Sequence, residues 1–323
     1  MPVKKFIPIA SAFNVKIYAP DDGCVSFFNS PFSAHRKLEA VDIYPSKAKF
    51  GDEAVCPVSG VVKAVKKYPS PTLYPNKLPL YEYLILIECT DNPEIYAKIL
   101  HARPLVSIDD FIHVGDTIGI LSRSGYISFW VDPHIHVELR NYKDPIRARG
   151  AYQLEILNTK QSKMPISKST PESDLAGTVT HVEPRYAMIR PKKDNWENVG
   201  NFSGLKAHVG SSVGILDGGV PHMGYGGVLV NEKVRKGDPV SLAGIKIGEV
   251  TEPSNGVAIF KIKNFKVTAN NSEFRGISSR LHLKNERGIK LVPLRTGCVN
   301  LNINANVTIK TNININSSSS IQA

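Results

Sequence analysis

From about residue 15 to residue 150 the chain is written in short runs of β-branched and aromatic residues cut by turn residues: VCPVSGVVKAVKKY, YEYLILIECT, IYAKILHARPLV, DTIGILSRSG and HIHVELR. None of these runs sustains the 3.6-residue period of a long helix, and short apolar runs bounded by Gly, Pro, Asn and Asp are the mark of strands. A chain punctuated this often can bury its apolar residues only by pairing strands into sheets and packing the sheets. An all-β domain is predicted over residues 1–157.

The next stretch, NTKQSKMPISKSTPESD at 158–174, is rich in Lys, Ser and Pro and reads as a linker. Strand signals then resume in AGTVTHVEPRYAMIRP, SSVGILDGG, GGVLVNEKVRKGDPVSLAGIKIGEVTE and GVAIFKIKNFKV, which predicts a second β-rich domain over 175–297. A length of 323 residues suits two domains. Residues 298–323, with their repeated Asn, Ile and Ser, read as a low-complexity tail, loosely attached and without chemistry.

Composition narrows the function classes. Hydrophobic content of 42% with 21% charged residues is that of a globular protein. The net charge of +11 favours acidic partners, yet the Lys and Arg are spread along the chain and no basic run is interleaved with aromatics, so no nucleic-acid partner is expected. Cys24, Cys56, Cys89 and Cys298 lack C-x-x-C spacing, which argues against a zinc knuckle or a disulfide framework. The N-terminal MPVKKFIPIASAF imitates a signal peptide, but Pro8 breaks its apolar run. With no stretch near the roughly 18 apolar residues of a membrane span, the expected location is cytoplasmic. Action outside the cytoplasm would then require lysis or a non-standard export route.

Residues 133–140 read PHIHVELR. On a strand, alternate side chains share a face, so His134 and His136 lie on one side and Ile135, Val137 and Leu139 on the other. The apolar side suits a core, and the imidazole side must meet water, a carboxylate or a metal. Two further segments carry histidines in the same region: SAHRKLEAVDIYP, with His35 and Asp42, and AKILHARPLV, with His101.

Taken together these segments resemble the lysostaphin-type zinc endopeptidases, whose signature is a His followed shortly by an Asp, a lone His on a middle strand, and a terminal H-x-H strand. The resemblance covers about residues 20–150 and extends to FGDEAVCPVSGVV after the Asp and VGDTIGILSRSG before the H-x-H strand. It implies an antiparallel β-sheet or sandwich domain in which His35, Asp42 and His136 bind Zn2+, with His101 and His134 beside the metal as acid/base and electrostatic groups. Two histidines and one carboxylate, leaving a fourth position open, form a ligand set that zinc hydrolases use. The implied activity is endopeptidase cleavage of short peptide bridges, and the implied partner is a peptide or a peptide-cross-linked polymer such as a cell wall. One departure is visible: the family places its Asp four positions after the His, whereas His35 and Asp42 are seven apart. Glu39 holds the usual spacing and is the rival ligand, but Asp42 is followed by the same strand text as the family's Asp. The alternative from another class is a peptidase fold that has lost activity and serves as a binding or scaffold module.

Overall fold

The computed structural model describes residues 5–71, 81–157, 175–254, 256–284 and 286–313, so the segment read as a linker lies outside the described residues. Among these the chain is all-β, its helical content limited to the single turn α1 (Ser33–Arg36) and a 3-10 turn at Lys193–Asn195. No described helix is long and apolar enough to cross a membrane, which leaves strand-built spans unaddressed.

The chain divides into two compact units. The first comprises residues 1–160 together with 199–203 and 280–286, and the second comprises 161–198, 204–279 and 287–323. Beyond the expected boundary at 157, the first unit also takes two short segments from far downstream. The physical reason is an edge: strand Leu281–His282 pairs with residues 24–25, and Ser203 pairs with His282, covering a strand that would otherwise expose its backbone groups.

Strands of the first unit are β1 (Phe6–Ala12), β2 (Val15–Pro20), β3 (Cys24–Ser26), β4 (Val41–Tyr44), β5 (Glu53–Val55), β6 (Gly60–Pro69), β7 (Tyr81–Cys89), β8 (Ile95–Leu100), β9 (Ala102–Pro104), β10 (Phe111–Ile112), β11 (Thr117–Leu121), β12 (Ile135–Asn141) and β13 (Glu155–Ile156). The main sheet is antiparallel throughout, in the order β10, β6, β7, β8, β12, β4, β3 and Leu281–His282. Two three-stranded sheets, β13–β1–β2 and β5–β11–β9, complete the unit.

Strand β12 lies near the middle of this sheet and is buried on both faces. Ile135, Val137 and Leu139 point one way, in register with Ile43 and Val41 of β4 and with Ile99 and Ala97 of β8; all are buried. His136, Glu138 and Arg140 point the other way and are buried as well. The period of two in HIHVELR thus separates an apolar layer from an ionic one.

Two sets of six strands, drawn from the second unit apart from the first two residues of Phe202–Val209, each pair into a closed ring. One runs through Leu175–Glu183, Tyr186–Pro191, Ile289–Pro293, Ser272–Ser279, Phe265–Ala269 and Asn306–Ile313. The other runs through Phe202–Val209, Ser212–Val220, Tyr225–Val230, Val257–Ile262, Ile245–Ser254 and Pro239–Leu242. Closure removes strand edges. The expectation of a loose tail over 298–323 is overturned for 306–313, which closes the first ring by pairing on both sides, with Val307 and Ile309 buried. NVTIK alternates apolar and polar residues, and that period of two outweighs the low-complexity composition.

Candidate metal centre

Three adjacent elements bring the ligand candidates together. His35 sits on α1 and is fully buried, Asp42 is on β4, and His136 is on β12 directly opposite Asp42 in the β12–β4 register. Their inner atoms form a tight triangle: His35 Nε2 to His136 Nδ1 is 3.1 Å, His136 Nδ1 to Asp42 Oδ1 is 3.0 Å, and His35 Nε2 to Asp42 Oδ1 is 3.3 Å. With Zn–N and Zn–O distances of about 2.0–2.1 Å, ligand atoms on a tetrahedron stand about 3.3 Å apart. The triangle fits that spacing.

The outer nitrogens have acceptors of their own. His35 Nδ1 donates to the Phe27 carbonyl at 2.9 Å, which leaves Nε2 of the neutral ring as an acceptor facing the triangle. His136 stands between two carboxylates, Nδ1 3.0 Å from Asp42 Oδ1 and Nε2 3.0 Å from Glu138 Oε1, so a ring proton on either nitrogen finds an acceptor. A cation, either a metal ion or a second proton on His136, suits this gathering of acceptors. Burial works against a charged His136, but hydrogen bonds to Asp42 and Glu138 and the charge of both carboxylates outweigh it and lift its pKa to about 9. Burial likewise opposes ionisation of Asp42, yet His35, His134 and His136 together hold its pKa well below the ordinary 3.8. The donor set therefore fits a divalent cation with nitrogen and oxygen preference, the outer partners orienting each ring.

Two more imidazoles flank the triangle. His134, just before β12, donates from Nδ1 to the Asp132 carbonyl at 2.8 Å, which leaves Nε2 as its acceptor, 3.8 Å from Asp42 Oδ2. Burial is the main cause that lowers its pKa to about 4, so the ring is neutral at pH 7. His101 follows β8, its ring centroid 4.9 Å from that of His134 and 6.1 Å from that of His136. Its backbone φ of 70° is left-handed, a conformation that is costly for a residue with a Cβ and that gathers at functional sites. Glu82 of β7 holds it there, accepting from the His101 backbone N–H at 2.9 Å and from Nδ1 at 2.7 Å, while Ser124 donates to the same carboxylate at 2.6 Å.

Burial alone would raise Glu82, but electrostatic attraction to the His101 ring and these hydrogen bonds reverse that and bring its pKa down from 4.5 to about 2. A carboxyl depressed in the folded state contributes stability that is present above pH 4.5 and is lost as pH falls through about 2. Glu82→Gln should therefore lose less stability than the parent between those two pH values. Denaturant midpoints measured across that range check this, and parallel acid limbs would refute it.

Glu39 is not among the residues whose ligand atoms converge; its carboxylate lies 3.9 Å from Lys37 Nζ, and burial raises its pKa. The longer His35-to-Asp42 interval is taken up by α1 and by the turn at Leu38, whose φ is 58°.

Several groups around the site carry no signal in a motif. Glu138 also accepts from Lys98 Nζ at 3.1 Å and Arg140 Nη1 at 2.7 Å, forming a buried ionic cluster behind His136. The alternation of HIHVELR places Glu138 and Arg140 on the histidine face and could have pointed to them. Lys98 emerges only from the register, in which it faces Glu138 across β8 and β12. Arg280, from the downstream segment of the first unit, pairs with Asp132 Oδ2 at 2.8 Å and lies 3.8 Å above the Tyr44 ring.

Fold and site define a class: an all-β chain of two units, the first with a buried two-histidine, one-carboxylate centre of metal-ligand type and two further histidines beside it. Residues 16–156 match the family described as domain of unknown function (DUF8155), N-terminal domain, and residues 170–312 match its C-terminal domain. The two matches span most of the chain in that order, and neither description states an activity. No curated protein matches the chain.

Proposed function

We propose that this protein is a zinc-dependent endopeptidase that cleaves short peptide bridges, such as those cross-linking a cell-wall polymer. The observation that carries the reading is the convergence of His35 Nε2, His136 Nδ1 and Asp42 Oδ1 within 3.0–3.3 Å, with the His35 ring proton committed to the Phe27 carbonyl. The resemblance of the surrounding segments to lysostaphin-type enzymes supports the choice of metal and bond. Zinc bound there would polarise a scissile carbonyl and activate water.

The chain's own groups have separable tasks. His35, Asp42 and His136 hold the ion. His101, its Nδ1 proton held by Glu82, offers Nε2 as a proton acceptor and becomes the donor to the leaving amine once charged. His134, neutral with an inward Nε2, can take the same role from the other side of the centre. Phe32, just before α1, and Tyr126, two residues after Ser124, are 44% and 42% exposed with ring centroids 6.0 Å apart, the exposed aromatic surface nearest in sequence to His35 and Ser124.

The test is metal analysis of the purified chain followed by digestion of Gly- or Ala-rich peptides. About one zinc per chain and cleavage that a chelator abolishes are expected. A folded chain that never carries metal refutes the reading and favours a scaffold module. The ligand assignment has its own check: Asp42→Ala should abolish zinc retention while Glu39→Ala leaves it intact, and the reverse result would transfer the role to Glu39.

A further inference from the structure

Arg280 lies far downstream of every candidate ligand in sequence, yet it belongs to the first compact unit and is 9% exposed. Its guanidinium makes two contacts that converge on one ring. Nη2 donates to Asp132 Oδ2 at 2.8 Å, and the main-chain carbonyl of the same Asp132 accepts the Nδ1 proton of His134 at 2.8 Å. The guanidinium carbon also lies 3.8 Å from the centroid of Tyr44, whose ring is 4.8 Å from that of His134 and whose hydroxyl donates to Asp42 Oδ2 at 3.4 Å. His134 is thus held on one side by Asp132 and on another by Tyr44, and Arg280 touches both.

The neighbourhood explains why such a clamp is needed. His134 precedes the first residue of β12, so the β12–β4 and β12–β8 ladders begin only after it, and Asp132 sits in the irregular segment leading in. The ladder fixes His136 through its register with Asp42 and Leu100. Arg280 anchors the segment before the ladder, and Leu281–His282, immediately after it, is tied to β3 by strand pairing. A planar guanidinium that stacks on an aromatic face while pairing with a carboxylate is a role lysine does not reproduce.

We infer that Arg280 is a positioning residue: through Asp132 and Tyr44 it fixes the ring orientation and tautomer of His134, so the downstream half of the chain completes the chemistry of the first unit. A chain ending near Leu157 would then retain every proposed ligand and assisting histidine yet lack this clamp. The turnover arm of the test rests on the proposed peptidase activity, and the spectroscopic arm does not.

The experiment uses the full chain with Arg280→Ala, Asp132→Asn and the double variant. Zinc per chain and peptide kinetics are measured, and the His134 ring nitrogens are followed by NMR in protein labelled with nitrogen-15 at histidine. Zinc content is expected to stay at the parent level and KM to stay within about twofold. Small misplacements of a catalytic group lower turnover by up to about a hundredfold, so kcat should fall about tenfold to a hundredfold in each single variant. The double variant should be no worse than either. In the spectrum, the single Nδ1–H form of His134 should give way to a mixture of tautomers. Arg280→Lys should recover kcat only in part, because it restores the charge opposite Asp132 without the stacked plane. Unchanged kcat with an unchanged His134 signal overturns the inference, as do losses that add in the double variant. Should Arg280→Ala fail to fold, the nearly isosteric Asp132→Asn decides on the same two readouts. A parent chain that cleaves nothing overturns the peptidase reading alone, and the His134 spectrum still judges Arg280.

Discussion

His136→Ala should lose zinc and turnover together, whereas His134→Ala and His101→Ala should retain zinc and lose turnover by about 10²–10⁴-fold, the usual contribution of a general acid or base. The two neighbours separate in role because their rings are oriented differently. His136 presents Nδ1 3.0–3.1 Å from the acceptor atoms of Asp42 and His35, inside the triangle, while His134 presents Nε2 3.8 Å from the far oxygen of Asp42. Removal of His136 deletes a ligand and also deprives Glu138 of a hydrogen-bond donor, so both metal content and stability should drop. Removal of His134 leaves the triangle complete. Metal analysis after gel filtration, with kinetics on one peptide, separates the cases. Equal zinc loss in the two variants would place His134 among the ligands and defeat the division.

Glu138→Ala should destabilise the protein more than any other single substitution among the site residues. Its carboxylate joins His136, Lys98 and Arg140, whose side chains are 8%, 6% and 0% exposed. Removing it leaves two cations buried without their common counter-charge, a loss that costs about 3–5 kcal/mol. In a domain of this size each kcal/mol moves the melting temperature by about 2–4 °C, so a fall of roughly 6–20 °C is expected. Because the cluster is shielded from solvent, the fall should persist in about 1 M salt, where exposed pairs are screened. Glu138→Gln keeps an acceptor for His136 and should fall less. Thermal unfolding followed by circular dichroism, with and without chelator, measures both. A shift under about 2 °C would mean that water or other groups reach Lys98 and Arg140.

The strands were legible because their signal is local. β-Branched and aromatic runs ended by Gly and Asp mark β6, β7, β8 and β12 in the sequence, and an all-β chain follows from them. His35, Asp42 and His136 could be singled out through the order of short motifs, but their mutual distances depend on the register of β12 with β4, which no single segment encodes. Glu82 was not legible: in YEYLILIEC it reads as a polar position on a strand, and its task appears only once β8 delivers His101 to it. Arg280 was hidden by distance along the chain, since propensity and spacing say nothing about which far segment will cover the edge of β3. The pairing of 306–313 was hidden for another reason, because its Asn-rich composition masks an alternating pattern whose partner strands lie upstream.

That pairing bears on how the chain is made. Val307 pairs with Gly177 at one edge of the strand Asn306–Ile313, and Ala269 pairs with Ile309 at the other. On a ribosome, the strands flanking this gap emerge first and wait with two open edges until the closing strand clears the exit tunnel. Residues 280–286 reach the first unit almost as late. Neither unit can be finished by an N-terminal fragment, and a translation arrest upstream of residue 280 would leave exposed strand edges, the surfaces by which nascent chains aggregate and chaperones find them.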